Sequence, residues 1–214
     1  MFKRLIFLLI SISTFSTVYA QENWKLSTEK DGVKVFTKSI LTSKVKALKI
    51  ETVLNASASQ LVAVIMDVEK GKEWVYSTKS CVLLKQVSPS ELYYYSEVIL
   101  PWPAQNRDFI AHIMVSQNPS TKIITVDAPC VTGYVPEKAN IVRIQKSLGK
   151  WIITPISKSQ VKIEYTLAVD PAGSIPAWLV NLVASQGPLE TFKKLRTQLL
   201  KTEYQNVKLS YIID

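Results

Sequence analysis

Histidine, cysteine and glycine are all scarce in this chain of 214 residues, and each scarcity removes a class of function. The single histidine, His112, stands in the middle of a run that alternates like a strand. One imidazole with no His-Glu-x-x-His neighbour makes neither a zinc site nor a proton relay. The two cysteines, Cys81 and Cys130, form no Cys-x-x-Cys pair, and the six glycines nowhere gather into a phosphate-cradling loop. No stretch supplies the nucleophile, base and orienting group of a hydrolytic site. The chain therefore reads as non-catalytic, with no cofactor and no metal. Basic-aromatic clusters of the kind that grip nucleic acid are missing too, because the lysines are scattered along the chain.

The N-terminus does have a recognisable design. Met1-Phe2-Lys3-Arg4 is basic, Leu5 to Val18 is apolar apart from Ser and Thr, and Val18-Tyr19-Ala20 puts small residues at the −3 and −1 positions. That pattern predicts a signal peptide, residues 1–20, cleaved near Ala20, and hence a periplasmic or secreted protein. The competing reading, a membrane anchor, needs about 20 apolar residues, more than this run provides. No cysteine follows it to carry a lipid anchor. Loss of Lys3 and Arg4 lowers the formal charge of +9 by two. The remainder fits either an evenly solvated basic surface or attraction to anionic lipid, worth about 1 kcal/mol per well-placed Lys or Arg. An oxidising compartment would permit a Cys81–Cys130 bridge. The two fall on strands that are not neighbours, however, so free thiols are expected.

No repeat, linker or low-complexity tract divides the rest, which predicts one domain over residues 21–201 and a tail over 202–214. Val33 to Ile40 and Lys44 to Leu54 suit a strand pair, followed by a helix over Ser59 to Trp74 with Ser57 and Gln60 as a capping box. Strand-like runs follow at Cys81–Ser88, Glu91–Leu100, Arg107–Gln117, Lys122–Val131, Ile141–Ser147, Trp151–Ser157 and Gln160–Val169, several joined by short turns and therefore antiparallel. An amphipathic helix from Pro176 to Lys201 closes the domain, with Trp178, Leu182, Leu189, Phe192, Leu195 and Leu199 on its inner face. The class is α+β.

Alternation assigns faces on the strands. Arg107, Phe109, Ala111, Ile113 and Val115 share one face, as do Tyr93, Tyr95, Glu97 and Ile99, and likewise Val161, Ile163, Tyr165, Leu167 and Val169. If these faces line one concave side, it encloses an apolar chamber holding one arginine and one glutamate. A lone buried charge is costly, so Arg107 and Glu97 are expected to pair or to hold a polar ligand group. A salt bridge that merely fixes the sheet is the competing reading. Asp108 points the other way, to a turn or to backbone. His112 is structural, on the face opposite Arg107, and Trp102 between two prolines reads as a rigid loop anchor. Tyr93, Tyr94, Tyr95, Trp151 and Tyr165 serve either as an aromatic ligand surface or as core.

Two stretches are more specific: Pro101-Trp102-Pro103-Ala104-Gln105-Asn106-Arg107-Asp108-Phe109, and Asp170-Pro171-Ala172-Gly173-Ser174-Ile175-Pro176-Ala177-Trp178-Leu179-Val180-Asn181. Together they resemble the START (StAR-related lipid-transfer) family, within it the phosphatidylcholine-transfer-protein-like subgroup, over about Trp24 to Lys201. The resemblance implies a helix-grip fold, a curved sheet wrapped around the last helix, with an internal cavity for a single lipid or sterol-like molecule. It implies Arg107 on the ligand side, where choline-phospholipid-binding members hold the lipid phosphate, and Glu97 at the position of a glutamate in that subgroup. Arg107, Glu97, Tyr95, Phe109, Tyr165, Leu167, Trp178 and Leu182 form the expected ligand-binding set. The expected partners are a hydrophobic small molecule and, transiently, a membrane surface, with the protein a monomer. The last helix and its Asp170 to Ile175 loop would be the gate. Thr166 and Leu167 stand where that subgroup carries tyrosines, so the aromatic cage for a quaternary ammonium is incomplete. A sensing module without transfer and a cyclase-type enzyme of the helix-grip group remain as alternatives.

Overall fold

The fold is a long antiparallel sheet curled around one helix. A computed structural model describes residues 24–39 and 46–214. The expected signal peptide and the expected strand ends Ile40 and Lys44 lie outside the described residues. The strands are β1 (Lys25–Lys30), β2 (Val33–Lys38), β3 (Ala47–Leu54), β4 (Thr78–Ser88), β5 (Glu91–Val98), β6 (Asn106–Gln117), β7 (Ile124–Pro129), β8 (Ile141–Arg143), β9 (Lys146–Ser157) and β10 (Gln160–Asp170). Their order across the sheet is β1-β2-β3-β10-β9-β7-β6-β5-β4, and β8 pairs in parallel with the start of β6. The pairing of β3 with β10 closes the ends of the chain onto each other. It joins the first strands to the last and gives the sheet its wrap.

The expected helix over Ser59 to Trp74 is interrupted. α1 (Ala58–Met66) ends at Asp67, a 3-10 turn follows over Val68–Lys70, and α2 (Gly71–Trp74) is a single turn. The Asp67 carboxylate accepts from the Tyr204 hydroxyl at 2.7 Å, fixing the break to the C-terminal segment. Only half of the expected capping box forms. Ser57 Oγ accepts from the Gln60 amide at 3.1 Å, but the Gln60 side chain donates to the Leu199 carbonyl at 2.6 Å instead of returning to the cap.

The single strand expected over Ile141 to Ser147 is divided between β8 and the start of β9, and β1 is an additional strand. The tail is docked. Asp214 accepts from the Ser59 amide in the first turn of α1 at 2.8 Å, where the helix dipole favours an anion, and Ile213 donates to Gln117 at 2.7 Å.

The last helix, α3 (Ala177–Leu199), contains Pro188, which has no N–H to continue the ladder. Beyond it Phe192, Leu195 and Leu199 are fully buried against α1 and the sheet. Leu182 is half-buried. Trp178, expected on the inner face, is 50% exposed, because it sits in the first turn where α3 overhangs the end of the sheet.

Candidate functional site

Register decides which residues share the concave face, and here it corrects the expectation. In the β5–β6 ladder, Val98 lies opposite Arg107, Ser96 opposite Phe109 and Tyr94 opposite Ala111, whereas Glu97 lies opposite Asp108 and Tyr95 opposite Ile110. Directly opposed residues in an antiparallel pair share a face. Leu92, Tyr94, Ser96 and Val98 therefore line the concave side with Arg107. Tyr93, Tyr95 and Glu97 belong to the outer side, and Glu97 does not pair with Arg107.

The outer side carries a polar network. Glu97 is only 4% exposed and accepts from Lys79 at 2.7 Å and Asn106 at 3.2 Å, with Lys138 at 4.0 Å. The Lys79 bond holds its carboxyl below the usual range. Asp108, rather than bonding a turn or backbone, takes a two-pronged contact from Arg143 at 2.7 and 3.0 Å, and the Tyr95 hydroxyl at 3.1 Å. Burial alone would raise the Asp108 carboxyl, but the Arg143 and Tyr95 hydrogen bonds outweigh it and hold it low. Arg143 also donates to the carbonyls of Val135 and Pro136, so residues 131–140 fold back over this side. His112 Nε2 lies 2.6 Å from the accepting Glu91 carboxylate, and its ring stacks on Tyr93 with ring centres 4.0 Å apart, opposite Arg107 as expected.

Arg107 is a buried cation of the concave side, 3% exposed, with no carboxylate partner among the described residues. Nε donates to the Pro171 carbonyl at 2.9 Å, Nη1 to Gln105 at 2.6 Å and Nη2 to Ala172 at 3.2 Å. Burial holds the guanidinium below its ordinary range. It thus staples the β5–β6 loop to the loop before α3. In that second loop Ala172 and Gly173 both have positive φ, 53° and 60°. A backbone turned through that region is one few side chains tolerate.

Between this staple and the far end, the concave face changes character. Ile124, Ile153 and Ile163 form one row across β7, β9 and β10, all fully buried, and next to it come Val126, Trp151 and Ile50. Phe192 meets Trp151 with ring centres 5.7 Å apart, so α3 presses on these rows. Nearer Arg107 the rows hold small side chains: Ala128 opposite Gly149, and Ala111 opposite Cys130, whose amide donates to Ser147. Around them Tyr94, Phe109, Tyr165 and Leu167 are only half-buried, although α3 must cross above them. Its two fixed points require that. The loop before it is held at Arg107, and Phe192 lies over Trp151. Burial pushes the Tyr94 hydroxyl up, and that of Tyr165 up to about 12, so both are screened from bulk water. Cys81 and Cys130 are free, half-buried thiols on the same face.

The mouth end is framed by exposed apolar groups. Trp102 in the β5–β6 loop is 89% exposed and anchors nothing, contrary to expectation, because the loop carries it outward past the sheet edge. Ile99 in the same loop and Trp178 at the start of α3 are also exposed, and Arg107 holds the two loops side by side.

Of the expected ligand-binding set, the structure groups Arg107, Phe109, Tyr165 and Leu167 on the concave face, with Leu182 half-buried on α3. It leaves Tyr95 and Glu97 behind the sheet and Trp178 on the rim. The alternation of β5 missed Tyr94, although placing Glu97 with the polar set of Asp108 and His112 would have found it.

Comparison with known proteins agrees with this arrangement. The sequence model of the START domain matches residues 17–203. An uncharacterised protein of Pseudomonas aeruginosa is 32% identical over 176 residues, covering 82% of this chain and 86% of that protein. Phosphatidylcholine transfer protein of Mus musculus is 27% identical over 172 residues, covering 77% and 78%. A STAR-related lipid transfer protein fragment of Xanthomonas axonopodis, in its crystal structure, superposes with a TM-score of 0.76 at 31% identity, over 83% of this chain and 99% of that one.

Proposed function

The chain belongs to the START domain family, and from that premise we propose that it is an exported, non-catalytic carrier of one lipid or sterol-like molecule held between α3 and the concave face. The observation that carries the reading is the combination of screening with incomplete packing. Tyr94 and Tyr165 are shielded from bulk water, yet they and Phe109 and Leu167 keep unburied surface beside a floor of Ala111, Ala128, Cys130 and Gly149. Side chains shielded but not packed border a hollow. Each methylene a cargo removes from water there contributes about 0.8 kcal/mol, while transfer between bilayer and hollow, both apolar, is nearly neutral. The rate is then set by opening.

Opening follows from Arg107. Its three bonds to backbone carbonyls close the two mouth loops together. A phosphate or carboxylate head group offers the guanidinium a stronger, charge-assisted partner. Such a group arriving at the mouth competes with those carbonyls and loosens the staple. Trp102, Ile99 and Trp178 surround this point, and tryptophan favours the membrane–water interface. The protein would dock mouth-first.

The test is lipid mass spectrometry on protein purified from its native host, followed by transfer of labelled lipid between donor and acceptor vesicles. Retained hydrophobic cargo and accelerated transfer are expected. Cargo without transfer would make the protein a holding or sensing module, and neither would overturn the reading.

A further inference from the structure

The wall of the hollow carries two hydroxyl groups with nothing to bond. Tyr94 on β5 and Tyr165 on β10 are four strands apart, about 19 Å in a flat sheet. The curl shortens that span so far that charge on Tyr165 or on the Cys130 thiol would act on Tyr94. Both rings are held in place. Tyr94 stands edge-on to Phe109 with centres 5.8 Å apart, and Tyr165 leans on Trp151 at 4.5 Å. Among the described residues neither hydroxyl has a hydrogen-bond partner, whereas those of Tyr95 and Tyr204 each donate to a carboxylate. Gly149 keeps the space beside Tyr165 clear, since a Cβ there would stand 3.5 Å from the phenol oxygen.

Each hydroxyl keeps accessible surface rather than being sealed among packed side chains, and two unpartnered donors on one wall suit an acceptor. Both phenols stay protonated at neutral pH, so they act as donors. The nearest cation along β6 is Arg107, four residues from Ala111 and so about 13 Å up the strand. An anion at the hydroxyls would therefore be unbalanced.

We propose that Tyr94 and Tyr165 form a hydrogen-bonding station for an uncharged acceptor oxygen partway along the cargo, the chemistry of an acyl ester carbonyl or of a ring ketone. This rests on the carrier reading. It adds that the hollow selects for oxygenation within the hydrophobic body, not only at the head.

The test measures binding from vesicles for two matched pairs of probes, diester against diether phosphatidylethanolamine, and a 3-keto steroid against its parent hydrocarbon. The wild-type protein should prefer the carbonyl-bearing member of at least one pair by about tenfold, the factor for one net hydrogen bond, and which pair responds separates ester from ketone. The double variant Tyr94→Phe, Tyr165→Phe keeps both rings. It should lose the preference and bind the two members of that pair alike. A bound ester labelled with carbon-13 should also show a lower carbonyl stretch in the wild type than in the double variant. Equal affinities within both pairs, or a preference that survives in the double variant, would overturn the station. Failure of all four probes to bind the wild type would overturn the carrier reading, and the station with it.

Discussion

The two halves of the concave face are built from the same strands and yet are stabilised from opposite sides. At the far end, Ile124, Ile153, Ile163 and Val126 bury themselves against α1 and the second half of α3, so the stabilisation lies inside the wrap. At the mouth end the inner side is small or half-packed apart from the Arg107 staple, and the ion pairs are outside: Asp108 with Arg143, Glu97 with Lys79 and Lys138, and the 131–140 segment folded over them. On the carrier reading, this wall leaves room for a guest and so is held less by packing on that side than by polar bonds behind it. The division falls near Pro188, which sits inside the continuous α3 and cannot donate to its ladder.

The sharpest way to break this comparison is to remove one support from each half. Phe192→Ala in the packed half should cost about 3–5 kcal/mol, because it empties the contact with Trp151 under a fully buried row. Arg143→Ala should cost a similar amount, about 3–5 kcal/mol, since it strands the Asp108 carboxylate without its partner. Denaturant unfolding gives both totals, and amide exchange separates them. The first variant should loosen β9 and β10, the second β5, β6 and the covering segment. Equal loosening throughout would show that the halves are not independent.

A finer contrast lies within one strand. Ile163 and Leu167 occupy the same face of β10, the first fully buried and the second half-buried. Ile163→Ala should cost about 2–5 kcal/mol and Leu167→Ala well under half as much, because a half-buried side chain gives up less packing on truncation. Chemical denaturation of the ligand-free protein measures the pair. If the two costs match, the mouth half is as well packed as the far half.

Acid should weaken the polar support of the mouth half. The Asp108 and Glu97 carboxyls lie below their ordinary values in the folded protein, so unfolding raises their pKa and takes up protons. Their contribution is complete above the unfolded values of about 4 and disappears as pH falls through the lower folded ones. Stability should therefore decline below about pH 4, with a shallower decline in Asp108→Asn, read as unfolding midpoints against pH.

Much of this architecture was legible in the chain. The strand runs, the closing helix and the two motif stretches sufficed for an α+β domain of the helix-grip kind, because period-2 and helical patterns survive wherever one side is buried. Register was not legible on β5, because both of its sides are largely covered, one within the wrap of the sheet, the other by residues 131–140. With no solvent-facing side, alternation names two sets without saying which is inner, and a shift of one residue exchanges them. That is why Glu97 and Tyr95 were expected beside Arg107. The pairing of Asp108 with Arg143 left no local sign at all, since it joins strands 35 positions apart through tertiary structure alone.

The smallest effect on stability should come from the rim, and it separates folding from docking. Trp102→Ala removes a side chain that is mostly in solvent and Trp178→Ala one that is half-exposed, so the first should shift unfolding by no more than about 0.5 kcal/mol and the second by about 1 kcal/mol. Both halves of the concave face would be untouched. Attachment to vesicles should nevertheless fall severalfold in each variant and further in the double one, as measured by flotation. Retained cargo in the purified protein should be unchanged. If flotation is unaffected while transfer persists, the mouth does not meet the membrane through these residues. The hollow half must then be filled by another route.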